Sequence, residues 1–290
     1  MFSVRFSQLN IRLVTPAEIP HARDFIRRAR FRIIQFGNTT LNLPLDDYII
    51  AGAWHQHHLM AVLVATRVHG DIAWVRACAL DSITIADHDR TMRSLAAHLI
   101  QHAPVTHLFY SGDHFDAWLA DLLKAEGFVA HGDIIAFTTT PIDIQPTSGV
   151  ALIRPLVPSD IHTIRRIDQA VFEMHWQKSP FEVQELFQSS GIKIAAMVDD
   201  HIAGYAIALW HDQQTTLHLV RIAVHPDYQR RGIARQLLTN VMHHGYTQHA
   251  QRITLNTQHD NLAAHALYTH HGFRMTGEVY HVIRAATLSA

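Results

Sequence analysis

The run LHLVRIAVHPDYQRRGIA, residues 217–234, decides the fold because it passes from an apolar stretch through a polar turn into the start of a helix. Residues 217–224 are rich in Leu, Ile and Val, which predicts a strand. Beyond the turn, apolar side chains recur at helical spacing over residues 237–242. Gly232, preceded by two arginines, lies between the two elements. The pattern is therefore strand, glycine-containing turn, helix.

A turn of this kind is suited to binding an anion. The unpaired N–H groups at a helix start point outward, and the helix dipole adds about half a positive charge there. Gly232 allows close approach to the backbone, and Arg230 and Arg231 add mobile positive charge. We therefore predict that the turn binds a diphosphate. It matches neither the G-x-G-x-x-G nor the G-x-x-x-x-G-K-[ST] pattern, which disfavours dinucleotides and nucleoside triphosphates.

The chain resembles itself at an offset of 145 residues. The offset aligns Val75-Arg76 with Val220-Arg221, His98 with His243, Leu122 with Leu267, and Gly127-Phe128 with Gly272-Phe273. Both halves have the same order of elements: a helical region, a hairpin-like pair of apolar strands, a strand, a long helix, a strand, and a helix ending in Gly-Phe. We expect two domains of one fold, residues 1–145 and 146–290, joined within the Thr- and Pro-containing segment 138–150. The alternative is chance similarity between two α/β patterns.

A second motif, LNTQHDNLAAHALYTHHGF at residues 255–273, follows the turn about 20 residues later. Together with V-x-P-x-Y-Q-R-R-G-I-A, it resembles the central motifs of the GNAT superfamily of acyl-CoA-dependent N-acyltransferases. The resemblance covers roughly residues 151–285, and the tandem arrangement is similar to that of mycothiol synthase. It implies an α/β (α+β) fold of two GNAT-like domains, each a mixed, mostly antiparallel sheet flanked by helices.

The resemblance also implies which residues bind acetyl-CoA, the expected acyl donor. The strand before the turn lends backbone groups to the pantetheine arm, and the turn holds the pyrophosphate. The strand residues are Ile222, Ala223 and Val224, and the turn residues are Gln229, Arg230, Arg231, Gly232, Ile233 and Ala234.

Asn261, Ala264 and Tyr268 are spaced i, i+3, i+7, which predicts one stripe of a helix. The resemblance implies that this stripe faces the cofactor: Asn261 offers its amide, Ala264 leaves room, and Tyr268 protonates the departing thiolate. A phenol with a pKa near 10 stays protonated at neutral pH. Asn256 is a further candidate cofactor contact.

Two residues are candidates for the general base. His218 stands where several GNAT enzymes place a Glu, and an ordinary pKa near 6.5 would make it competent. The alternative for His218 is an ordinary strand histidine. Glu173, in AVFEMHW, lies in the segment that lines the acceptor pocket in the family. Other members have a Glu matching Asn256, but an amide cannot accept a proton.

The first half lacks the corresponding chemical groups. The positions matching His218 and Tyr268 are Ala73 and Leu123, and the turn matches residues 84–89, which have no glycine or arginine and contain two aspartates. We therefore expect the first domain to keep the fold without binding acyl-CoA.

Composition narrows the remaining classes. Apolar residues make up 48% of the chain, and 24 Lys and Arg stand against 25 Asp and Glu, so neither disorder nor a nucleic-acid or membrane partner is expected. One cysteine, Cys78, excludes an internal disulfide. The 25 histidines are scattered without H-E-x-x-H, so we expect no metal. No signal peptide or membrane span is evident, which favours the cytoplasm.

The sequence thus predicts an N-acetyltransferase whose second domain moves an acetyl group from acetyl-CoA to a small-molecule or peptide amine. A non-catalytic acyl-CoA-binding sensor or scaffold is the alternative. The oligomeric state is left open, a monomer with its two domains packed together being one arrangement.

Overall fold

Helices and strands alternate along both halves of the chain. The computed structural model describes residues 4–35, 37–113, 116–146 and 149–288. The helices are α1 (Ile19–Arg28), α2 (Gly37–Asn42), α3 (His88–His102), α4 (Ala117–Ala125), α5 (Ile161–Val171), α6 (Pro180–Gln188), α7 (Ile233–Thr247) and α8 (Leu262–His270). The strands are β1 (Asn10–Leu13), β2 (Phe31–Ile34), β3 (Tyr48–His55), β4 (His58–His69), β5 (Ile72–Leu80), β6 (His107–Gly112), β7 (Val129–Thr139), β8 (Leu152–Pro155), β9 (Gly191–Val198), β10 (His201–His211), β11 (Thr216–Val224), β12 (Arg252–Gln258) and β13 (Arg274–Ala286).

The chain forms two compact units. Unit 1 comprises Met1–Gly132 with His281–Ala290, and unit 2 comprises Asp133–Tyr280. In unit 1 the strand order is β1-β3-β4-β5-β6, followed by residues 281–286 of β13; β5 and β6 are parallel and the other neighbours antiparallel. In unit 2 the order is β8-β9-β10-β11-β12, followed by residues 134–139 of β7; here β11 and β12 form the parallel pair. Each unit is therefore a mixed, mostly antiparallel sheet with helices, as the sequence predicted.

The 145-residue offset recurs in the element boundaries. Helix α3 covers residues 88–102 and α7 covers 233–247, while α4 covers 117–125 and α8 covers 262–270. Both pairs differ by 145 residues at each end. The two units therefore repeat one order of strands and helices.

Each unit takes its last strand from the other half of the sequence. The strand that follows α4 is β7, and its residues 134–139 pair with β12 of unit 2. The strand that follows α8 is β13, and its residues 281–286 pair with β6 of unit 1. The compact units therefore do not follow the division at residue 145 drawn from the sequence. A sequence offset shows that two strands are equivalent, but not which sheet edge each one joins.

Side-chain alternation places the cores. In unit 2, the odd-numbered Leu217, Leu219, Ile253 and Leu255 are buried in a cluster that includes the apolar face of α7. Successive strand residues point to opposite faces, so His218 and Thr254 lie on the other face of the sheet. Helix α5 packs on that opposite face, where Ile164 and Ile167 are buried in one cluster with Tyr205 and Ala223. In the part of the chain that the structure describes, no helix is long and apolar enough to cross a bilayer.

The exchanged strand of unit 1 supplies part of its core. Ile283 is 2% exposed and packs in the core of unit 1, whereas Leu288, five residues later, is 77% exposed. We expect Ile283→Ala to lower the free energy of unfolding by about 2–5 kcal/mol, because it opens a cavity. Leu288→Ala is the matched control, with a change within about 0.5 kcal/mol. Urea unfolding of the full chain measures both; equal effects of the two substitutions would contradict the assigned packing.

Candidate functional site

Strands β11 and β12 run side by side for only four residues. Their parallel pairing goes from Thr216 with Arg252 to Leu219 with Leu255 and then ends. On the other edge of β11, the register with β10 shifts and leaves Val220 as an extra residue. A bulge of this kind bends the strand and increases its twist. Beyond Leu219 the two strands therefore separate, and a gap opens between them.

The orientation of the β11 backbone follows from one hydrogen bond. The His225 N–H donates to the Ala203 carbonyl, so His225 faces β10. Because N–H and C=O groups alternate along an antiparallel strand, Ala223 also faces β10, whereas Ile222 and Val224 face the gap. Of the three strand residues chosen from the sequence, two therefore turn their N–H groups towards the gap, where no described residue accepts a hydrogen bond from them.

The turn after β11 is open and rich in free N–H groups. Arg230 has φ 60° and Gly232 has φ 81°, and Gly232 is the N-cap of α7. Among the described residues, none offers a hydrogen-bond acceptor to the backbone N–H groups of residues 230–235. Arg230, Arg231 and Gly232 are all exposed. These free donors and two cationic side chains surround a position suited to a diphosphate.

Two side chains hold the turn in shape. The Gln229 Nε2 donates to the Val224 carbonyl at 3.0 Å, and the Arg231 Nη2 donates to the Asp227 carbonyl at 2.9 Å. The Arg231 guanidinium also lies 5.3 Å from the centre of the Tyr228 ring. The Gln229 side chain is thus used within the turn, leaving the backbone as its principal binding surface.

Helix α8 begins one residue later than the i, i+3, i+7 spacing implied. Asn261 is its N-cap, and the Asn261 Oδ1 accepts a hydrogen bond from the Ala264 N–H at 3.1 Å. Ala264 and Tyr268 lie one turn apart within the helix, so they share a face. The Nδ2 of Asn261 remains available as a donor.

Tyr268 has a buried ring and a free hydroxyl. The ring is 5% exposed and lies 6.0 Å from the ring centres of both Phe137 and Phe273. Burial raises the pKa of Tyr268 to about 12. The hydroxyl has no hydrogen-bond partner among the described residues. Tyr268 can therefore donate its proton to an incoming group.

His218 lines a cavity of about 470 Å³ within unit 2, as do Asn256, Thr254, Arg252, Asp212 and Glu278. The His218 Nδ1 lies 2.8 Å from the Thr254 Oγ1. Burial, with a smaller contribution from His211, lowers the pKa of His218 to about 4. The ordinary pKa assumed from the sequence is therefore wrong, because one residue's burial cannot be read from a strand pattern. His218 is neutral at pH 7 and is a weak base.

Glu173 lies apart from this cavity. It is 79% exposed, and its nearest ion-pair partner is the buried His175, whose Nδ1 is 3.7 Å from the Glu173 Oε2. Glu173 is not among the residues that line the cavity containing His218. The structure thus brings His218 and Asn256 together but leaves Glu173 outside.

A buried ion pair next to the bulge was not identified from the sequence. The Arg221 Nε and Nη2 donate to the two oxygens of Asp168 at 2.7 and 2.9 Å, and the Tyr205 hydroxyl donates to Asp168 at 2.6 Å. Arg221 also donates to the Trp176 carbonyl at 2.6 Å. The sequence offered two signals of this pair: Asp168 stands among the apolar residues of α5, and Arg221 stands within a strand.

In unit 1 the equivalent gap is filled by the chain itself. Strand β5 pairs with β6 only from Ile72 to Trp74, and residues 77–80 of β5 then pair with β2. Counted from the extra residue of each bulge, Arg76 in β5 and Val220 in β11, Cys78 and Leu80 correspond to Ile222 and Val224. The N–H groups of Ile222 and Val224 face the gap in unit 2, whereas those of their counterparts Cys78 and Leu80 face β2 in unit 1.

Comparisons with known proteins identify the family. Residues 161–273 match the model of the acetyltransferase (GNAT) family. The [ribosomal protein bS18]-alanine N-acetyltransferase of Salmonella typhimurium is 31% identical over 118 residues, which is 41% of this chain and 77% of that protein. The chain belongs to the GNAT acetyltransferase family.

Other relatives match over a smaller part of their length. Human N-acetylaspartate synthetase is 28% identical over 139 residues, 48% of this chain and 42% of that protein. The Xenopus tropicalis N-acetylaspartate synthetase is 25% identical over 130 residues, and the chain spans 45% of it. The chain thus spans less than half the length of these synthetases.

Solved structures share the fold of the whole chain. A probable N-acyltransferase from Enterococcus faecalis superposes with a TM-score of 0.70 at 9% identity, covering 97% of this chain and 73% of that one. A tandem GNAT protein from the clavulanic acid biosynthesis pathway gives 0.58 at 9% identity, covering 96% and 98%. The GNAT assignment and the tandem arrangement made from the sequence are confirmed.

The pKa of His218 gives a testable pH dependence. A histidine whose pKa is about 6.5 in the unfolded chain and about 4 in the folded chain makes its full contribution to the free energy of unfolding above pH 6.5. That contribution is lost as the pH falls towards 4, at up to about 1.4 kcal/mol per pH unit. We expect His218→Gln to flatten this part of the stability curve, as measured by urea unfolding at pH 7.5, 6.5 and 5.0. Parallel curves for the wild type and the variant would contradict the assignment.

Proposed function

We propose that unit 2 transfers an acetyl group from acetyl-CoA to a primary amine. The observation that carries the proposal is the gap beyond Leu219, with the free N–H groups of Ile222 and Val224 on one wall and those of residues 230–235 beside it. An extended acyl donor such as acetyl-CoA fits this row of N–H groups, because strand amides can bind a pantetheine arm while the turn binds a diphosphate.

The chain's own groups then have distinct roles. Bound acetyl-CoA supplies an activated thioester. The N–H groups facing the gap stabilise negative charge on the acyl oxygen, as preorganised donors do in other acyl transfers. Tyr268 donates a hydrogen bond to the leaving sulfur. Because its pKa of about 12 lies roughly three units above that of an ordinary thiol, stabilising the developing thiolate is its main contribution.

The base belongs on the cavity wall. We favour His218 over Glu173, because His218 lines the cavity next to Asn256 whereas Glu173 is exposed elsewhere. With a pKa of about 4, His218 cannot deprotonate a free ammonium group, so the amine must enter neutral. His218 accepts a proton only once attack on the carbonyl carbon has made that amine nitrogen acidic.

We propose that unit 1 keeps the fold without binding acetyl-CoA. Pairing of β2 with residues 77–80 supports this, since a ligand would have to displace four residues of sheet. The rival function is an acyl-CoA-binding sensor without turnover. The hydroxyl of Tyr268, which has no partner among the described residues, favours catalysis, because a sensor has no need of a proton donor.

The turn predicts the effect of a single methyl group. Gly232→Ala should weaken acetyl-CoA binding at least tenfold by calorimetry, because the left-handed φ of 81° strains an alanine and the turn would have to change shape to relieve that strain. Gly127→Ala is the matched control: its φ is 105° and its added Cβ also meets nothing within 4 Å. An acetyl-pantetheine donor without diphosphate should bind both variants alike. Unchanged acetyl-CoA affinity in the Gly232 variant would rule out the turn as the diphosphate site.

Tyr268→Phe tests the proton donor. We expect thiol release to fall about a hundredfold while acetyl-CoA affinity is kept, because removing one preorganised donor to a developing negative charge typically costs that much or more. Folding should change little, since the hydroxyl has no protein partner. The assay follows free thiol with small amines, amino sugars and peptide amino termini as acceptors. An unchanged rate would remove Tyr268 from the mechanism, and no release from any amine by the wild type would favour the sensor.

A further inference from the structure

The end of the cavity away from the gap carries a guanidinium group. Arg252, the first residue of β12, lines the cavity, and its side chain is 57% exposed. Its Nε donates to the Thr216 Oγ1 at 2.8 Å, and its Nη2 donates to the Asp212 Oδ2 at 2.9 Å. The side chain is therefore held in one orientation on the cavity wall.

The partners of Arg252 leave its binding fork incomplete. Asp212 contacts the guanidinium through a single oxygen and is itself 57% exposed, and exposed pairs of this kind are weak. The Nη1 donates to no acceptor in the described residues. A guanidinium binds a carboxylate best through two parallel N–H groups, and such a pair is still open here.

The turn that holds Asp212 is fixed before any ligand arrives. Asp212, Gln213 and Gln214 have φ values of 49°, 55° and 69°, a run of left-handed residues that none of the three side chains favours. Thr215 donates to the Asp212 carbonyl through both its N–H and its Oγ1, and the Thr216 hydroxyl donates to the Asp212 carboxylate. Strained backbone of this kind persists where its surroundings determine it. Arg252 is thereby preorganised at little further cost on binding.

Arg252 and the gap lie at opposite ends of one face. Arg252, Thr254 and Asn256 lie at alternate positions of β12, so their side chains share the cavity side. Asn256 is the first of them beyond the part of β12 that pairs with β11. At about 3.3 Å per residue, roughly 13 Å separates the backbone positions of Arg252 and Asn256.

We propose that Arg252 is a specificity-determining residue that binds a carboxylate of the acceptor. The acceptors are then primary amines that carry a carboxylate several bonds away, such as an acidic amino acid or a short peptide with a free carboxyl terminus. This inference rests on the proposed acetyl transfer. It adds the class of acceptor that the cavity selects. The distance between the amine and the carboxylate of that acceptor is determined by comparing acceptors of different length.

The test compares acceptors in pairs that differ only in charge. Glutamate is set against glutamine, aspartate against asparagine, and a dipeptide against its carboxyl-terminal amide, with acetyl-CoA as donor and free thiol as the signal. We expect kcat/KM of the full chain to be about ten- to a hundredfold higher for the carboxylate member of at least one pair, as expected for one charge-assisted interaction. This comparison needs no variant and so does not depend on the folding of one.

Variants then assign the preference to Arg252. Arg252→Gln should raise KM for the carboxylate member by a similar factor and leave its amide partner nearly unchanged, while Arg252→Lys should keep part of the preference. Arg166→Gln, on an exposed position of α5, is the matched control and should behave as the wild type. Thermal unfolding of each variant accompanies the kinetics.

The outcomes separate this inference from the function on which it rests. Equal use of both members of every pair, or an Arg252→Gln defect that is the same for both, would overturn the carboxylate site while the acetyl transfer stands. Binding of acetyl-CoA without thiol release for any acceptor would overturn both. A preference that survives Arg252→Gln would assign carboxylate recognition to another residue.

Discussion

The bulge at Val220 is the constraint on which the rest of the site depends. It removes one residue from the pairing of β11 with β10 and turns the remainder of β11 away from β12. The N–H groups of Ile222 and Val224 lose their sheet partner as a result. Backbone donors left unpaired at a buried position cost free energy, so these N–H groups need a partner from outside the sheet. The free amides of the turn continue the same row of donors.

Unit 1 provides an internal comparison for this constraint. Its β5 carries a similar irregularity, with Arg76 as the extra residue against β4. Here, however, the Gln35 N–H donates to the Arg76 carbonyl, and β2 pairs with the next four residues. The edge of the bulged strand is therefore treated differently in the two units: strand β2 pairs with it in unit 1, and it faces a gap in unit 2. The loss of glycine and arginines from residues 84–89 agrees with a gap that is already filled.

The sequence predicted what depends on local pattern. The offset of 145 residues gave the order of elements, and the Gly232 turn gave the helix start. It could not show that β7 pairs with β12 and β13 with β6, because the two halves have equivalent sheet edges and the sequence pattern does not tell which edge a distant strand joins. Nor could it give the pKa of His218, which is set by burial under neighbouring strands, or the use of Asn261 as a helix cap. These depend on tertiary packing.

The buried pair of Arg221 and Asp168 explains how a strand with one open edge stays in place. Arg221 follows the bulge and points to the face covered by α5, where Asp168 accepts two of its three hydrogen bonds. Removing one partner of such a pair leaves a buried charge, which is far more costly than losing an exposed one. The same guanidinium donates to the Trp176 carbonyl, so the segment after α5 is attached to β11 at this point. Side chains thus fix β11 on one face, while on its open edge the N–H groups of Ile222 and Val224 have no acceptor among the described residues.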